Sequence, residues 1–273
     1  MLTILFSMLV GVVLAGGLQV AWPGHPVVVG LVWLLGFIGT SIAINLVIRK
    51  RLEAIFKAVQ AHIEQSQSQL RRRAMQQRLT GDNRGALQKI EAEQDRSIRE
   101  AVAILDGIAP IKKWNLLAER QANTLKGQLY YQIKDFEAAQ RCLDRSLVPT
   151  PDPLTLAMKM ALLYRAEKFD DIDKAFRRGV KRFKDDKGTL IYALYSWILV
   201  KRDRVADAIA VLDEGRTRTE DETLRTNWQH LTNNRVRHFS NAGLGETWYA
   251  LHLEEPRPVK IRQTRFSGPA RRR

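Results

Sequence analysis

"LKGQLYYQIKDFEAAQRCLDRSLVPTP", residues Leu125–Pro151, decides how most of this chain is read. Phe136, Ala139 and Leu143 fall three and four apart, the spacing of one helical face. The same trio returns as Phe169, Ile172 and Phe176, and again as Val205, Ala208 and Leu212. The first members are 33 and 36 residues apart (169 − 136 and 205 − 169), so the pattern is an internal repeat. A helical pair that is apolar on one face buries it only by stacking on a neighbour. No stretch between Lys112 and Asn234 alternates at the period of a strand, so the reading here is helical throughout.

N-terminal to the repeats the composition changes abruptly. The first charged side chain is Arg49, and all 44 Lys and Arg and all 29 Asp and Glu follow from there. The formal charge of +15 therefore belongs to the last 225 residues (273 − 48). Two apolar stretches, Leu2–Ala21 and Val27–Ile48, flank "AWPGHP" at residues 21–26. Each is about 30 Å long as a helix, the thickness of a bilayer's hydrocarbon core. Trp22 suits the headgroup layer, and Pro23, Gly24 and Pro26 end one helix and start the next. A signal peptide fits poorly, because its leading MLT has no Lys or Arg and a second apolar span follows at once. Gly11, Ala15, Gly36 and Gly39 suit close packing of two spans. Arg49, Lys50, Arg51 and Lys57 follow the second span while the short hinge has no cation, which predicts cytoplasmic N- and C-termini at an inner membrane.

Residues 49–111 read as basic juxtamembrane helices. Leu52, Phe56, Val59, Ile63, Ser66 and Leu70 form a heptad-like seam, open to pairing two chains as a homodimeric coiled coil or to packing on its own domain. "TGDNRG", residues 80–85, should break the helix, and a second run from Ala86 to about Ile108 ends at Pro110. Arg71, Arg72 and Arg73 offer a basic patch, and so do Arg271, Arg272 and Arg273 in a tail that carries no acid beyond Pro256. The partner implied is anionic lipid or RNA. Residues 241–273 read as a capping segment, docked through Trp248, Tyr249, Leu251 and Leu253, followed by that tail.

The Gly127, Tyr130, Phe136, Ala139 and Pro151 constellation, with its period, resembles the tetratricopeptide-repeat (TPR) family over residues 118–218. Met160 and Ser196 depart from it where the family prefers glycine. The resemblance implies an α-solenoid over residues 112–240, with the first helix of each pair lining a concave groove. Groove residues would then be Gln128, Tyr131, Gln132, Tyr164, Arg165, Trp197 and Lys201, holding a protein or peptide. The Lys/Asn carboxylate clamp of some family members is missing, since Gln128, Ala161 and Trp197 occupy the Asn-type position.

Chemistry has few candidates. His25, His62, His230, His238 and His252 show no metal-ligand spacing, and Cys142 stands alone. "NAGLGETW", residues 241–248, lacks the Gly-Lys-Ser/Thr of a phosphate loop. No catalytic, metal or cofactor role is expected. The overall expectation is an all-α protein: a transmembrane helical hairpin over residues 1–48, then a TPR-like scaffold or adaptor at the cytoplasmic face. A membrane-tethered nucleic-acid-binding protein and an assembly factor of a larger membrane complex are the alternatives.

Overall fold

The computed structural model describes residues 2–21, 26–80, 84–150 and 152–256, and all regular structure among them is helical. Residues 22–25 of the "AWPGHP" hinge, residues 81–83 of the "TGDNRG" break and Arg271–Arg273 lie outside the described residues. The chain separates into two compact units, Met1–Gly179 and Val180–Arg273. That division falls inside the stretch 112–240 expected as one repeat domain.

In the first unit α1 (Leu2–Ala21) packs antiparallel on the start of α2 (Pro26–Thr80). Both are long and apolar enough to cross a membrane, with mean hydropathy 2.0 and 2.4 in their apolar windows. Their outward faces are bare hydrocarbon: Leu5, Leu9 and Val13 are 63%, 62% and 63% exposed. Gly11 lies against Trp33, and a Cβ there would meet the Trp33 carbonyl and ring at 3.0–3.1 Å, so the glycine sets this close approach.

Beyond the apolar stretch α2 runs on for several turns, and α3 (Arg84–Asp106) folds back along it. The seam packs on its own chain: Val59 is fully buried with Ile98, Ala101, Val102 and Leu105 of α3, and Leu52, Phe56 and Ile63 flank them. The same core continues into Ile108, Ile111 and Ala118, Ala122 and Leu129 of α4 (Leu116–Gln132). Helices α2 and α3 therefore share a core with α4.

Next come α5 (Phe136–Asp144), α6 (Pro153–Arg165) and α7 (Phe169–Arg182). Short polar residues start α4, α5 and α6 by accepting otherwise unpaired amides: Asn115 from Leu117, Asp135 from Ala138 and Asp152 from Thr155. Gly127 brings α4 onto α5, since a Cβ would sit 2.5 Å from the buried Leu143 side chain.

The second unit is built on α8 (Thr189–Lys201), in which every residue from Thr189 to Leu199 is buried. A helix apolar on all sides needs cover on all sides. Within this unit α9 (Val205–Thr219), α10 (Glu222–Thr232) and the segment around α11 (Glu246–Tyr249) provide it. Of the four residues expected to dock here, Trp248 and Leu251 are buried while Tyr249 and Leu253 are half-buried.

The helix pairs share one turn. Lys134, Glu167, Asp203 and Asn234 follow α4, α6, α8 and α10 at φ 60°, 56°, 59° and 56°. After each, the next amide donates back into the helix: Asp135 to Tyr130, Lys168 to Leu163, Arg204 to Leu199 and Arg235 to His230, at 2.8–3.0 Å. This is the left-handed C-terminal cap, here without glycine. The fourth instance follows α10 and leads into the 3₁₀ turn Val236–His238.

Candidate functional site

The seven expected groove residues divide between the units, Gln128 to Arg165 in the first and Trp197 with Lys201 in the second. Each set is described by itself.

In the first unit Tyr131 has no accessible surface. It lies between helices because the left-handed turn at Lys134 brings Phe136 back against it, with ring centroids 5.3 Å apart at 71°. Burial pushes its phenol up to about 12, against the pull of the Arg165 guanidinium, which donates to it. Tyr131 therefore offers nothing to a partner and is corrected from groove contact to core. Gln128 is half-buried and turned inward, donating to Thr155 Oγ1 at 2.6 Å and to Asp152 at 3.4 Å, which ties α4 to the start of α6. Tyr164 is half-buried and edge-on to Phe169 at 6.4 Å, the same turn packing as Tyr131 with Phe136.

Arg165 and Gln132 remain exposed. The Arg165 guanidinium lies 4.0 Å over the Phe136 ring, a cation–π contact that holds its fork at the surface. The accessible feature of this unit is thus one oriented Arg on an aromatic platform, bordered by Gln132 and the edge of Tyr164.

In the second unit Trp197 is 5% exposed and is also corrected to core. Its indole N–H donates to Glu254 at 2.7 Å, and Trp248 donates to the other oxygen of the same carboxylate at 2.9 Å. The two rings meet edge to face at 5.9 Å. Sequence reasoning missed Glu254, and no short motif marks it, because its partners lie 57 residues back on α8 and six back on α11. Lys201 is exposed with its ammonium 5.2 Å over Trp197. A second link, also missed, runs from Asn227 Nδ2 to Asn241 and from Asn241 to the Ala193 carbonyl, joining α10 to α8 through buried amides.

Arg71, Arg72 and Arg73 are exposed on α2, and Arg73 pairs with Glu93 of α3. Cys142 is half-buried, and burial pushes its thiol up, away from the reactive thiolate. Among the described residues no three His, Cys, Asp or Glu side chains are placed to hold a metal ion. His230 and His238 approach to 5.5 Å between ring centroids, a pair without a third ligand. Comparison with protein-family models, with curated proteins and with solved structures finds no match for this chain.

Proposed function

We propose that the protein is an integral membrane scaffold. The charge-free pair formed by α1 and the start of α2 is its two-span anchor, and the TPR-like helical pairs recruit a protein or peptide partner at the cytoplasmic face of the inner membrane. One observation supports this reading: bare apolar helices are joined, through a continuous core, to the first of the helical pairs that share one turn geometry. Interfaces are commonly anchored by arginine and aromatic side chains. Arg165 on Phe136 in the first unit, and Lys201 over Trp197 in the second, are the accessible groups of that kind.

Crosslinking in intact membranes, followed by purification of the chain under denaturing conditions, tests the reading. Wild type should carry a protein partner that Arg165→Ala and Lys201→Ala lose while their melting temperatures stay within a few degrees. Unchanged capture by both variants would sink the groove assignment. Recovery of RNA that disappears as salt rises would favour the nucleic-acid alternative, because phosphate contacts weaken steeply with salt.

A further inference from the structure

Where the two apolar helices meet the rest of the first unit, the chain leaves an open crevice of about 430 Å³. Its lower wall is Phe6 of α1 with Ala43, Ile44 and Val47 of α2, all inside the charge-free stretch. The upper wall is Ile111 and Trp114 of the α3–α4 connector, with Arg51 at the rim. The connector is pinned there by three contacts: the Leu2 amide donates to the Lys113 carbonyl at 3.4 Å, Thr3 Oγ1 donates to the Trp114 carbonyl at 2.8 Å, and Phe6 meets Trp114 edge to face at 6.3 Å.

The polarity of this crevice is ordered along α2. From Ile44 to Arg51 the helix rises about 10 Å, which takes a wall from hydrocarbon to a full positive charge. Among the described residues no acidic side chain lines it. Arg49 on the same helix is paired with Glu53, whereas Arg51 makes no ion pair among the described residues. Lys112 and Lys113 are exposed on the connector between the two upper-wall residues. A ligand fitting this order has an apolar tail below and an anion above, and the apolar floor runs into the exposed hydrocarbon of α1 and α2. The volume is that of a ligand pocket, within the roughly 300–1,000 Å³ such sites span.

We propose that this crevice is a binding site for one anionic phospholipid, with an acyl chain against Phe6, Ile44 and Val47 and the headgroup phosphate on Arg51. The proposal rests on the membrane reading above and adds a specific lipid site to it. Trp114 then stands at the headgroup level, where tryptophan is favoured. The bound lipid fills the gap between anchor and connector, so it also holds the cytoplasmic helices against the bilayer surface.

The test uses the full chain purified in mild detergent and titrated with phosphatidylglycerol or with phosphatidylcholine of the same acyl chains, read by native mass spectrometry. One phosphatidylglycerol per chain should be retained about tenfold more than phosphatidylcholine, because both carry the phosphate but only phosphatidylcholine carries a choline cation, which Arg51, Lys112 and Lys113 repel. Arg51→Gln should remove the preference and keep weak retention of both lipids. Ala43→Trp, a substitution at an exposed position of the wall, should abolish retention of both while the helical circular dichroism is unchanged. Equal retention of the two lipids by wild type overturns the proposal, and so does retention in Ala43→Trp equal to that of wild type. Carbonate extraction of membranes reports separately on the anchor. A chain washed out by carbonate defeats the membrane reading, while the detergent titration still decides the crevice.

Discussion

Glu254 shows how much one side chain can organise. Its two oxygens accept from two buried indoles on different elements, one on α8 and one on α11. Glu254→Ala leaves buried N–H donors without an acceptor and should cost about 1–3 kcal/mol. Glu254→Gln keeps one acceptor oxygen and should cost less; urea titrations followed by tryptophan fluorescence measure both. Gly127 works through the opposite property, having no side chain at all. Gly127→Ala forces a methyl into Leu143 and should destabilise by about 1–3 kcal/mol in thermal melts. Tyr131 and Tyr192 are both held protonated up to about 12, mainly by burial, and Tyr192 also donates to Glu214 at 3.0 Å. Unfolded tyrosine ionises near ~10. Between about pH 10 and 12 the folded chain keeps protons that the unfolded chain has released, so stability falls as pH rises through that window and is flat below it. Urea midpoints at pH 8, 10 and 11 should show this, and 295 nm absorbance should show two tyrosines ionising late.

At the scale of elements, the α2–α3 pairing explains why the seam does not need a second chain. Leu105 has no accessible surface and closes the core opposite Val59. Leu105→Ala should cost about 2–5 kcal/mol, whereas Leu117→Ala, at a position 56% exposed, should be near neutral. Circular dichroism during urea unfolding separates the two, and midpoints independent of protein concentration would fit a seam satisfied within one chain. The sequence made this helix pair legible, because its apolar positions fall at helical spacing and Pro110 closes it. It left the choice of partner open, since an amphipathic face specifies apolar cover and not its source.

For the whole molecule the testable statement is topology. In a Cys142→Ser background, Gly24→Cys should be labelled by a membrane-impermeant thiol reagent from outside the cell, and His230→Cys should be labelled only after lysis. The reverse pattern would overturn the orientation read from Arg49, Lys50 and Arg51. What the sequence by itself determined is local: helical character, the break near residues 80–85 and the stop at Pro110, the spacing of the repeated apolar trio, and the sharp boundary at Arg49 between uncharged and charged chain. These follow from periodicity, backbone preference and charge, each expressed over a few residues. Tertiary structure alone decided which apolar residues are core and which face outward. Tyr131 and Trp197 sit on first helices just where a groove residue would sit, yet one is covered by the ring of Phe136 and the other by Trp248 and Glu254. Burial depends on what arrives from distant parts of the chain, and in Trp197 that cover comes from 57 residues away. The crevice above Phe6 has the same origin, since its walls come from α1, α2 and the α3–α4 connector, which meet only in the folded chain.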